Sequence, residues 1–218
     1  MANQGKQRAR DDTRHWLPSQ GVDPAPLAEL NSECLGLLAS YAADLPAGSA
    51  APPLIIELRS EWAELSTAAV RRLSAAPFSL IDAGLAQAPR WLALRTHGVH
   101  DPAQRTEAPF FESVVARSIS RRMLVYGWHL ARSRPRAACL VFGAQIQAID
   151  ALAACSLSML EAAADRNADT LRPRWAVQVS FWRALLSAAS AATDKRLREL
   201  LLGGIQRLAA ETLAVHAL

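Results

Sequence analysis

Apolar residues in this chain return every three or four positions, and that spacing limits the possible folds more than any motif does. Leu27, Leu30, Cys34, Leu37, Leu38 and Tyr41 make one such series, and Ile55, Leu58, Trp62, Leu65 and Ala69 make another. Each places its members on one face of a helix, whereas a half-buried strand would alternate every second residue. The apolar share, 51% of the residues with only 6% aromatic, is carried mainly by Ala and Leu, which favour helices over strands. The expected fold class is all-α.

Breaks in the pattern organise the chain. Residues 1–26 mix Arg, Asp and Gln with three prolines and little apolar content, too little to offset the entropy of ordering them, so a flexible tail is expected there. Helices are predicted over about 27–44 and 54–73, separated by PAGSAAPP, with a short apolar run and a helix ending near Leu94 after Pro77. RTHGVHDPAQRTEAP reads as a loop punctuated by Gly98, Pro102 and Pro109. It is taken as the boundary between an N-terminal helical region (27–107) and a C-terminal helical domain (108–218). In the second part, helices are predicted over about 110–133, 136–141, 144–155, 157–166, 175–191 and 194–216. Gly143, Ser156 and Pro173 punctuate them, with Ser156 placed as an N-cap.

Several function classes find no support in the residues. There is no G-x-S-x-G, P-loop, G-x-G-x-x-G or HExxH, so no enzyme is expected and no cofactor is implied. Cys34, Cys139 and Cys155 form no CxxC pair and have no histidine cluster beside them, which argues against a disulfide framework or a zinc site and suits a reducing cytoplasm. His97 and His100, with Asp101, stand in a polar loop and lack a closed ligand set, so no metal is expected. The polar N-terminus has no signal-peptide core, and no apolar run is long enough for a membrane span, so a cytoplasmic protein is expected. The six tryptophans read as bulk for an alanine-rich core. Trp175 and Trp182, seven apart, are expected to pack inward together from one helix face.

Charge is distributed unevenly. Between Glu112 and Asp150 there is no carboxylate, yet the segment carries Arg117, Arg121, Arg122, Arg132, Arg134 and Arg136. On a helix Arg117, Arg121 and Arg132 fall within about 60° of one another, opposite Val115, Ile119, Met123, Tyr126 and Leu130. Val114, Leu124 and Val125 lie on or near the arginine side. Such a face suits phosphates or an acidic partner, and equally a solvated surface. Arg172 and Arg174, flanking Pro173 at a helix start, are the best-placed basic pair outside it.

Leu130 to Arg174, LARSRPRAACLVFGAQIQAIDALAACSLSMLEAAADRNADTLRPR, resembles the central portion of the flagellar transcriptional regulator FlhD family. The resemblance rests on Leu130, Ala137, Ala138, Gly143, Leu152, Ala153, Ser156, Leu157, Leu160, Ala164, Asn167, Arg174 and Trp175, in register without a gap. LRELLLGGIQRLAAE, Leu197 to Glu211, resembles the family's last helix. Leu171 stands where family members often carry a cysteine, so a covalently linked dimer is not implied, and Ser158 stands where a proline is common. The resemblance covers the C-terminal half. It implies a homodimerising helical subunit that works with a zinc-binding FlhC-like partner on promoter DNA. The competing expectation is a helical adaptor or secretion-type chaperone that does not bind DNA.

Overall fold

A computed structural model describes residues 23–46, 48, 50–97, 109–111, 113–167, 170–191 and 194–214. The expected tail up to residue 22, the loop with His100 and Asp101, and His216 lie outside these residues. Among those described, eleven helices and one two-stranded sheet form the fold, which is all-α in class.

α1 (Ala25–Asp44) starts behind Pro24 with Pro26 in its first turn, where a missing N–H costs nothing. Its buried stripe is Leu27, Leu30, Cys34, Leu35, Leu38 and Ala42, and it includes one polar side chain, Asn31, that is fully enclosed. The Asn31 amide donates to the carbonyls of Ser74 (3.2 Å) and Phe78 (3.0 Å), and its oxygen accepts from Leu80 N–H (2.8 Å). One buried amide thereby satisfies backbone groups that have left the helix at residues 74–80 and fastens that stretch to α1.

The helix expected over 54–73 is three short ones: α2 (Pro53–Ile56), α3 (Arg59–Ala63) and α4 (Thr67–Ser74). Ser66 accounts for the last break. Its backbone is extended and its hydroxyl accepts from Ala69 N–H at 3.2 Å, a cap that starts a new helix. Across the first break the Trp62 indole N–H donates to Leu54 carbonyl at 3.1 Å, so the apolar face stays continuous although the backbone does not.

β1 (Ile81–Asp82) leads into α5 (Ala88–His97). The long α6 (Ser113–Ser133) follows, then α7 (Pro135–Phe142), α8 (Ile146–Ala153) and α9 (Leu157–Asn167). β2 (Arg172–Pro173) pairs antiparallel with β1, setting Ile81 opposite Pro173 and Asp82 opposite Arg172. α10 (Val179–Ser190) and α11 (Asp194–Ala214) complete the chain.

Helices from either side of the expected boundary near residue 107 pack on one another. α1 packs on α6, α4 on α10 and α5 on α8, and the two strands pair across the same point. Residues from Leu27 to Leu208 belong to one apolar core. Arg72 of α4 donates from Nε to the Ala189 carbonyl at 2.9 Å, tying a helix of the first half to the end of α10.

The tryptophan pair also behaves differently from expectation. Trp175 precedes α10 and takes a left-handed backbone conformation (φ 54°), because a tight turn closes from Trp175 carbonyl to Gln178 N–H before the helix begins. Its ring stands edge-on to Phe78 and Phe181, and its N–H donates to Glu211 at 2.7 Å. Trp182 is buried against Trp62, with ring centroids 5.8 Å apart, and its N–H goes to the Arg174 carbonyl.

Candidate nucleic-acid or partner interface

α6 buries Ala116, Ile119, Ser120, Met123, Leu124, Gly127, Leu130 and Ala131. Ile119, Met123 and Leu130 lie inward as the spacing predicts. Leu124 is also fully buried, while Val115 is 43% exposed, so the packed stripe is turned toward Leu124 relative to the expected one. Four helices pack on α6 rather than one, and the stripe is wide for that reason. Tyr126, expected inside, is only half-buried, its ring edge-on to Phe142.

Arg117, Arg121, Arg122 and Arg132 all project from the exposed side of α6, as do His129, Val114 and Val125. Arg122 pairs with Glu33 of α1, which spends part of its charge within the molecule. Arg132 lies over the ring of Trp128, 4.8 Å from its centroid, and the Trp128 indole N–H donates to the Cys155 carbonyl at 2.9 Å. That chain of contacts holds one exposed guanidinium beside the turn between α8 and α9. Arg134, partly buried, occupies the cap position before α7, and Arg136 is exposed in its first turn behind Pro135.

The second basic pair divides. Arg172 is partly buried in β2, opposite Asp82. Arg174 is 7% exposed, with Nε donating to the Ser79 carbonyl (2.9 Å) and a terminal nitrogen to the Phe142 carbonyl (3.0 Å). Its backbone N–H bonds Leu80 carbonyl at 2.8 Å. Arg174, expected as a basic contact, is thus bonded inside the fold rather than presented on the surface. This guanidinium is turned inward because two carbonyls, left bare where the chain bends, need its donors.

Gly143 closes α7 in a left-handed conformation (φ 60°), and the α7–α8 step follows. Ser156 caps α9 as predicted, its hydroxyl accepting from Met159 N–H at 3.3 Å. α8 and α9 are joined by residues 154–156 and bend by 112°. A three-residue turn and that angle are the dimensions of a helix-turn-helix pair. The exposed side of α9 carries Leu157, Ser158, Glu161 and Asp165.

Among the described residues, no three His, Cys, Asp or Glu side chains gather as a metal site requires. Cys34 is enclosed and burial pushes its thiol far above the ordinary range. Cys139 is raised by partial burial and then by Asp150. Arg90, 4% exposed, is pulled down to about 10 by burial, with Asp82 acting against that shift. Among the described residues no single helix is long and apolar enough to cross a membrane. Comparison with protein-family models, with curated proteins and with solved structures gives no match.

Proposed function

We infer that the protein is a helical subunit of a transcription-regulating assembly, FlhD-like in its C-terminal half. In this reading it acts on promoter DNA together with an FlhC-like partner, as a homodimer in the cytoplasm. The observation that carries this reading is the α8–turn–α9 pair, bent by 112°, with the guanidinium of Arg132 fixed beside the turn by Trp128. Arginines beside such a pair supply the phosphate contacts that set its register on a duplex. Arg117, Arg121 and Arg136 extend the basic surface along α6 and α7.

A specific observation favours the helical adaptor as a second reading. The arginines of α6 are interleaved with Val114 (71% exposed) and Val125 (39% exposed), a mixture suited to an acidic amphipathic helix of a protein partner.

Fluorescence anisotropy on upstream DNA, with and without the FlhC-like subunit and across a salt series, separates the two. The regulator reading expects binding that sharpens with the partner. Arg132→Ala should then lower the slope of log affinity against log salt by about one. Absence of DNA binding by a folded protein in both conditions refutes that reading. Capture of an acidic helical partner that is lost in Arg117→Ala/Arg121→Ala would establish the adaptor.

A further inference from the structure

The C-terminal half of α1 faces the entry to α6 across a hollow of about 460 Å³, a size within the range of small-molecule sites. Leu37, Tyr41 and Asp44 recur at steps of four and three along α1, which sets them on one helix face, and all three line the hollow. Phe110 and Phe111 close it from the segment before α6, and Val115 from the first turn of α6.

Three aromatic rings meet here without stacking. Tyr41 stands edge-on to Phe110, with centroids 6.1 Å apart and planes at 90°, and Phe110 stands at 63° to Phe111, 4.8 Å away. Phe111 is 5% exposed and anchored in the core, whereas Tyr41 and Phe110 are only partly buried. An edge-on pair uses one ring face at most, so aromatic surface remains for a guest in the hollow. Ring faces carry the negative part of the quadrupole and attract cations.

The charge at this end of α1 has the same sign. Asp44 is the last residue of the helix and is exposed. The final carbonyls of a helix carry the negative end of its dipole, about half an elementary charge, which a basic residue in the last turn commonly offsets; α1 runs for 20 residues and has none there. Arg59 is engaged one residue beyond, donating to the Leu45 carbonyl at 2.7 Å, and among the described residues no ion pair engages Asp44. A hard metal ion would need more oxygen ligands than one carboxylate, and an anion would be repelled by it. Aromatic faces beside a carboxylate and a helix C-terminus match an organic cation instead.

We propose that this hollow binds a small organic cation, a quaternary ammonium head on a compact apolar body. The head lies against Tyr41 and Phe110 beside Asp44, and the body rests on Phe111 and Val115. A quaternary head is favoured over a protonated amine because ring faces satisfy its charge without supplying the hydrogen-bond acceptors that N–H groups would require.

The test uses the full chain and two probes of one shape, (3-hydroxyphenyl)trimethylammonium and its neutral isostere 3-tert-butylphenol, titrated by proton NMR. Ring currents should move the N-methyl line upfield as the cation binds, with a Kd on the order of 0.1–1 mM for a ligand of this size. The neutral isostere should bind about tenfold more weakly or worse. Asp44→Asn should weaken the cation about fivefold and leave the isostere unchanged, and Tyr41→Leu should weaken the cation by a similar factor. Thermal melts followed by circular dichroism check that each variant is folded; Asp44 is exposed, so its variant decides the matter if Tyr41→Leu unfolds. Equal affinity for the two probes overturns the proposal, because the hollow would then be selecting shape alone. Cation binding unchanged in Asp44→Asn, or no shift of the N-methyl line at millimolar probe, overturns it as well.

Discussion

Replacing Arg174 by Met tests whether this guanidinium is an internal brace or a surface contact. The side chain donates to Ser79 carbonyl at 2.9 Å and to Phe142 carbonyl at 3.0 Å, and only 7% of the residue meets solvent. Hydrogen bonds to charged groups contribute a net of about 1.5–3 kcal/mol each, and removal leaves two buried carbonyls without partners. Against this, Met no longer requires a cation to be desolvated, which returns part of the loss. The balance is a destabilisation of about 3 kcal/mol. In urea, with a slope of about 3 kcal/mol/M for a chain of this size, the unfolding midpoint followed by circular dichroism should fall by about 1 M. Arg174→Lys keeps the charge but offers a single ammonium head in place of the planar fork, so it should lose about half as much. The salt dependence of any DNA binding by the folded fraction should not change. A midpoint within about 0.2 M of wild type, combined with a salt slope reduced by about one, would show that Arg174 meets phosphate and that its internal bonds are dispensable.

Adjacent glycines in α11 should respond with opposite signs. Gly204→Ala places a Cβ 2.5 Å from Phe78 and should cost about 1–2 kcal/mol, whereas Gly203→Ala meets nothing within 4 Å and should stabilise by about 0.5–1 kcal/mol through helix propensity, both read from urea midpoints. Gly143→Ala combines a left-handed φ of 60° with a Cβ 2.6 Å from Leu208; a loss of about 2–3 kcal/mol is expected, and a double-mutant cycle with Leu208→Ala should recover about 1 kcal/mol of it. Thiol labelling of the native protein with an aromatic disulfide should reach Cys139 first and leave Cys34 untouched until unfolding. Because partial burial and Asp150 raise the Cys139 thiol, its rate should still climb with pH where a free cysteine has levelled off.

What the sequence could disclose depended on whether a residue's role was local. The first helix, the short helix before Gly143 and the Ser156 cap were legible because spacing, a left-handed glycine and an N-cap act within a few residues. The single helix expected over 54–73 was not, since Ser66 offers its hydroxyl to Ala69 and restarts the helix while Leu54, Leu58 and Trp62 keep an unbroken apolar face. Periodicity records the face, and the face survived the breaks. Asn31 did leave a signal, a polar residue in the middle of an apolar stripe, but its partners at residues 74–80 lie more than forty positions away. Arg174 left none, for a buried and an exposed arginine have the same letter. Likewise the proline-rich loop near residue 107 left a local signal, whereas the packing of α4 on α10 and of α5 on α8 across it did not.

Under the proposed regulator reading, the surface charges bear on why a partner would be needed. If α9 entered a major groove by its first turn, Ser156, Leu157 and Ser158 would face the bases, and Glu161 and Asp165, about one turn apart on the same helix, would follow toward the phosphates. Exposed carboxylates within a Debye length of about 8–10 Å of a phosphate are repelled by it. Arg132 beside the turn offsets one of them, and Arg122 is already engaged with Glu33. On the proposed regulator reading, the protein alone would bring too little net positive charge to a duplex at α9. A subunit that brought cations next to α9 would supply what is missing, and affinity would then appear only in the complex. The same two carboxylates would be an asset toward a basic protein surface, so on that reading α9 would lie between the duplex and a partner.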